Sequence, residues 1–207
     1  MFKRVENKVI TIPQITVSEI SFTLIGMSPL IIHAWSAKAR KAMLDKQTGA
    51  PINKKEHKDP FQDFVDCLYW ITKRPAKVTP EIIKKATFGL PARMIKQALV
   101  NACRFVENFP MTKAKGCLYV QGELLPIKGS VPISREDMVR LDNGSMDIRF
   151  RPEFYPWEVN CTVTAPTNVV TAESVINLMS VAGQYSGLGE WRPERGGSYG
   201  RFKVKHR

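Results

Sequence analysis

Two stretches of helical periodicity, each bracketed by strand-like alternation, restrict this chain more than any other feature. From Pro91 to Val106, the residues Met94, Ile95, Ala98, Leu99, Ala102 and Phe105 form one apolar face, which Arg93, Lys96 and Arg104 leave. Pro91 suits a first helical position. The second predicted helix opens on Thr171, a good N-cap, and turns Val175, Ile176, Leu178, Met179 and Ala182 inward. Gly183 and Gly187 end it. Residues 19–32, EISFTLIGMSPLII, alternate and then become continuously apolar, as a strand does when it passes from a half-buried to a buried position, bent near Gly26 and Pro29. Residues 9–12 suggest a short edge strand stopped by Pro13.

Residues 117–127 predict a strand pair or a bulged strand around Gly122. Residues 134–140 look like a short turn, and Asp142-Asn143-Gly144 is a turn signal. Residues 147–154 and 157–164 alternate and predict neighbouring strands, with Pro152 and Pro156 limiting the first to an edge or an irregular piece. Residues 199–205 predict the last strand. The order is β-α-β-β-α-β. This predicts an α+β fold with a ferredoxin-like (RRM-like) antiparallel sheet and its helices on one face. Residues 36–80 interrupt that order as an inserted segment within a single 207-residue domain. Ser36 caps a helix there, a polar, proline-bounded loop follows, and residues 61–71 are helical in spacing.

Lysine and arginine outnumber acids to leave a net charge of +12, which attracts polyanions, nucleic acid first among them. No apolar run reaches the roughly 20 residues of a membrane span, so no membrane partner is expected and a cytoplasmic location is. Four scattered cysteines and three scattered histidines predict buried free thiols, no metal and no cofactor.

Three segments suit a nucleic-acid backbone. The first is GLGEWRPERGGSYGRF, where Gly187, Gly189, Gly196, Gly197 and Gly200 would let a ligand approach main-chain N–H groups. Arg192, Arg195 and Arg201 supply forked donors, and Trp191 and Tyr199 supply rings for stacking. The second is the helix start at Pro91, where free N–H groups would meet phosphate beside Arg93 and Lys96. The third is the basic insertion, with Lys38, Arg40, Lys41, Lys54 and Lys55. No nucleophile–base set is evident. His33 could serve as a general base, and Asp45 and Asp59 could assist a metal, but the expectation is a non-catalytic protein.

FGLPARMIKQAL and GLGEWRPERGGSYGRF together resemble the RAMP proteins, the backbone subunits of CRISPR effector complexes, and phage-encoded proteins with a GEWRPER…G…F ending. Pro91 and Lys96 match that family's helix start, although Ala92-Arg93 stands where the family usually has Gly-Ser. The resemblance implies a thumb-like insertion, binding of single-stranded RNA or DNA with little sequence preference, and side-by-side assembly into an oligomer or filament. Two alternatives follow from it: an RNA-processing endonuclease, and a phage anti-defence protein that imitates a subunit of a host defence complex.

Overall fold

The larger of two antiparallel sheets is built around a strand with strict alternation, β8 (Trp157–Pro166). Its residues Trp157, Val159, Cys161, Val163 and Ala165 are buried, and the residues between them are not. A computed structural model describes residues 12, 14–49, 57–140 and 144–206. The suggested strand at 9–12 and most of the 142–144 turn lie outside the described residues. In chain order the remaining strands are β1 (Val17–Gly26), β2 (Leu30–Ile31), β3 (Gly89–Pro91), β4 (Tyr119–Val120), β5 (Leu124–Gly129), β6 (Ile133–Arg140), β7 (Met146–Phe154) and β9 (Phe202–His206). The helices are α1 (Ala37–Thr48), α2 (Pro60–Asp66), α3 (Pro80–Lys85), α4 (Ala92–Ala102), α5 (Met111–Cys117) and α6 (Ala172–Val181).

The large sheet runs β3-β5-β8-β1-β9, and β4 also pairs with β8. The small sheet runs β2-β7-β6. Ile20, Phe22 and Leu24 of β1 join the buried side chains of β8 on one face of the large sheet, with Ile95 and Leu99 of α4 and Val175 and Met179 of α6 in the same core. The opposite face is polar. The hydroxyls of Ser21 and Thr162 lie 3.0 Å apart, and Thr23 donates to Asn160 Oδ1 at 3.0 Å. Thr171 caps α6 as expected, its Oγ1 accepting from the Ser174 N–H at 3.1 Å. Ser36 caps α1 in the same way, accepting from the Ala39 N–H.

Several expectations are corrected. Residues 19–32 are two strands in two sheets, and the bend at 27–29 is where the chain switches between them. Gly26 is required at that exit, because a Cβ there would stand 2.3 Å from the Trp157 ring nitrogen. β7 and β8 are not neighbours; β7 belongs to the small sheet, between β2 and β6. Pro152 therefore lies on a middle strand, where its carbonyl accepts from the Ile32 N–H at 3.2 Å. Residues 134–140 are not a turn but most of β6, paired with β7 from Ile133↔Glu153 to Arg140↔Met146. Their apolar content is low because charge, not apolar surface, is what this strand turns inward. Phe105 is not on the inward face of α4. The α-helix ends at Ala102, and a 3₁₀ turn, Cys103–Phe105, carries the ring outward to 56% exposure.

The segment 36–80 behaves in two ways. α1 buries no side chain. α2 buries Phe64 and Val65 in the main core, with Leu68 just after it.

Candidate nucleic-acid interface

The glycine-rich segment after α6 folds back on itself. α6 continues into a π-helical turn, Ala182–Ser186, and leaves it through Gly187 at φ +66°. The Leu188 N–H then donates to the Gly200 carbonyl at 2.9 Å, and the Tyr199 N–H to the Trp191 carbonyl at 3.0 Å. A 3₁₀ turn, Pro193–Arg195, closes the tip. The Glu190 N–H bonds the Ile31 carbonyl and the Gly200 N–H bonds the Pro29 carbonyl, so the loop is sewn to β2.

This placement changes what the glycines do. A Cβ on Gly189 would meet the Ile31 carbonyl oxygen at 2.1 Å, one on Gly197 the Trp191 oxygen at 1.8 Å, and one on Gly200 the Leu188 oxygen at 1.8 Å. The missing side chains admit the protein's own backbone, not a ligand. Only Gly196 has open space around it.

The two rings are engaged as well. Trp191 adopts φ +52°, a conformation in which a bulky side chain is strained, and Arg151 lies 5.6 Å from its ring centroid. Arg135 lies 4.7 Å from the Tyr199 ring centroid. Both arginines come from the β6–β7 hairpin. Arg151 is 2% exposed and reaches Asp137 at 3.0 Å and Glu190 at 3.5 Å, with its Nε left without a hydrogen-bond partner. Arg135 binds Glu153 at 2.9 Å and Asp137 at 2.8 Å, and these hydrogen bonds, Glu153's first, hold its guanidinium firmly charged. The hairpin is thus clamped to the loop by a charge network. None of Arg135, Asp137, Arg151 or Glu190 was among the expected site residues. The signal was present as alternating charge in SREDMVR and DIRFRPEF.

The remaining expected residues divide. Arg93, Arg192, Gly187 and Gly189 come together, with Glu190 and Gln97, around a cleft of about 270 Å³ between α4 and the loop. Arg192 is held in the loop, its Nε on Glu194 at 3.0 Å and its Nη1 on the Gly189 carbonyl at 2.9 Å. Arg93 is exposed, with Nη2 3.4 Å from the Tyr69 hydroxyl. Arg195 is exposed at the loop tip. Arg201 binds Gln184 Oε1 at 2.6 Å. Lys96 does not line the cleft; its Nζ lies 4.7 Å from the Tyr119 ring centroid. The first N–H of α4 is not free for an anion, because Ala92 donates to the Glu123 carbonyl at 2.9 Å. Lys38, Arg40 and Lys41 stand exposed on α1, away from the cleft lining, and Lys54 and Lys55 lie outside the described residues.

Beside the cleft, the Tyr69 hydroxyl donates to the His33 carbonyl at 3.2 Å. Burial holds the His33 imidazole below its ordinary pKa of 6.5, Glu190 opposes that, and Arg149 and Arg151 add to it. Burial pushes the Cys67 and Cys161 thiols up to about 12, so both are protonated, inert core side chains at neutral pH. Among the described residues no group of three or more His, Cys, Asp or Glu side chains is placed to hold a metal ion. No helix among them is long and apolar enough to cross a membrane. A larger cavity of about 550 Å³ lies at the other end of α4, and Glu107 is the one charged residue lining it.

A scan against protein-family models gives no match to this chain, and a search of curated proteins gives none either.

Proposed function

We propose that this protein is a non-catalytic binder of single-stranded nucleic acid with little sequence preference, built on a ferredoxin-like core of the RAMP kind and working in the cytoplasm. The observation that carries the reading is the net charge of +12 combined with exposed arginines, Arg93 and Arg195, on either side of the cleft and loop tip. The order of the core strands, last-first-third-second, with α4 and α6 in the core on one face, supports the ferredoxin-like assignment. The exposed basic helix α1, inserted after the first strand pair, supports a thumb-like role. Met138, Met146 and Ile148 are exposed on the β6–β7 hairpin and support side-by-side assembly of copies along a strand.

Mobility-shift titrations with single-stranded RNA and DNA at low and raised salt test this. Binding should weaken steeply with salt, and replacing Arg93 or Arg195 by alanine should lower the salt slope by roughly one phosphate contact each, alike for all sequences. Absence of any complex at low salt overturns the proposal.

One observation favours a second reading. His33 is near enough to Glu190 to feel its charge, and Tyr69 joins the His33 carbonyl to Arg93 beside the cleft, so acid–base groups that an RNA endonuclease could use lie in one region. That reading requires cleavage products that disappear in His33→Ala. Capture of a host defence complex that persists after nuclease treatment would instead favour subunit imitation.

A further inference from the structure

Arg93, Gln97 and the buried Asn101 follow one another along α4 at intervals of four residues, and Arg104 stands in the 3₁₀ turn that continues it. Gln97 Nε2 donates to Asn101 Oδ1 at 2.9 Å, which keeps that line continuous. From Arg93 to Phe105 this line is about 18 Å long at the rise of a helix. The π-helical turn packs against α4 beyond the cleft.

At the far end stand two aromatic rings that nothing above explains. Phe105 and Tyr185 are stacked, with ring centroids 4.8 Å apart and planes 21° from parallel. Each is covered on one face by the other, yet Phe105 remains 56% and Tyr185 50% exposed. Their outer faces are therefore open to water. Trp191 and Tyr199, by contrast, have arginines of the hairpin over their rings.

Two cationic groups are held next to the stack through its neighbours in sequence. Arg104 precedes Phe105 and lies 4.0 Å from Glu194 of the loop tip. Arg201 is bonded to Gln184, the residue before Tyr185. A two-ring apolar patch is far too small for a protein partner, whose interface would need roughly 800 Å² on this side. A planar π-face beside guanidinium groups on a strongly basic protein fits a nucleobase attached to its phosphate.

We infer that the Phe105–Tyr185 stack is a base-stacking platform, on which one base of a bound single strand lies over an outer ring face while Arg104 or Arg201 meets the adjoining phosphate. This rests on the proposed nucleic-acid binding and specifies where bases, rather than phosphates, are contacted.

Fluorescence anisotropy with an oligothymidylate and an abasic strand of equal length and charge separates the two claims. The wild-type protein should bind the base-bearing strand about tenfold tighter or more, as stacking of a base on an aromatic side chain does. The double variant Phe105→Ala/Tyr185→Ala should bind both strands equally with the salt slope unchanged, and Tyr185→Phe should keep the preference. A strand carrying 5-iodouracil, irradiated on the wild-type protein, should cross-link to Tyr185 or Phe105. Equal wild-type affinity for the two strands, a preference that survives in a folded double variant, or cross-links only to other residues would each overturn the platform while leaving backbone binding intact. Failure to bind either strand overturns both.

Discussion

The two sheets of this protein differ in what they bury: both send apolar side chains into the core, Leu30 and Phe154 from the small one, but only the small sheet also buries a charge network. In the large sheet the alternation of β1 and β8 sends Ile20, Phe22, Leu24, Val159, Cys161 and Val163 inward and leaves hydroxyls and amides on the far face. In the small sheet the alternation is less regular, because β7 buries Arg151, Pro152 and Phe154 at one end and exposes Met146 and Ile148 at the other. Arg135, Asp137, Arg151 and Glu153 are drawn into ion pairs around the glycine-rich loop, while Met138, Met146 and Ile148 stay exposed. Period-two alternation reports that a strand has two unlike faces. Which face is covered depends on the partner. Where the partner is a pair of apolar helices, hydrophobic transfer decides. Where it is a polar loop rich in backbone carbonyls, a network of paired guanidinium and carboxylate groups decides.

The difference can be broken most sharply by removing one large side chain from each sheet. Phe22→Ala should cost about 3–5 kcal/mol in urea denaturation by leaving a cavity, and Arg151→Ala about 3 kcal/mol by leaving the mostly buried Asp137 with one guanidinium partner in place of two. Conservative replacements then separate the causes. Phe22→Leu should recover most of the loss, because transfer scales with apolar area. Arg151→Lys should recover little, because one ammonium cannot span Asp137 and Glu190 as a planar fork does. Equal recovery at the two positions would show that the small sheet is held by packing alone.

A smaller effect is expected in the loop that the hairpin grips. Gly196→Ala faces open space and should lose only the strain of positive φ, about 1–2 kcal/mol. Gly200→Ala adds a collision with the Leu188 carbonyl and should lose clearly more, lowering the melting temperature further than Gly196→Ala.

The smallest effect is the dependence on pH. His33 follows β2 and has a folded pKa below its ordinary value, so the unfolded chain takes up the proton first as the pH falls. Its contribution is complete above about 6.5 and declines as the pH drops through that value toward the folded pKa. Denaturation midpoints should therefore fall between neutral and mildly acidic pH, and His33→Gln should flatten that part of the profile.

These contrasts also explain what could be read from sequence. α4, α6 with its Thr171 cap, and β8 were legible, because each buries apolar surface at the period of its own element. β6 was not, since Arg135 and Asp137 look like solvent-facing residues until Arg151 and Glu153 lie opposite them. The glycine segment is visible in the sequence as a loop between the second helix and the last strand, but not that Ile31, Trp191 and Leu188 supply the oxygens that fill the spaces at Gly189, Gly197 and Gly200. Phe105 kept helical spacing with Ala98 and Ala102, and only the switch to a 3₁₀ turn takes it off the helix face.

The pairing of the last strand with the first has a consequence for how the protein is made. The Arg201 N–H reaches Ser28 Oγ across 173 positions of sequence, and the Gly200 N–H reaches the Pro29 carbonyl beside it. Until the 199–206 segment has been synthesised, one edge of β1 is bare and the 27–31 corner is unsecured. Removing 199–206 would therefore leave β1 with an open edge and take away the tie between the glycine-rich loop and the 28–29 corner, while the small sheet keeps all its strands.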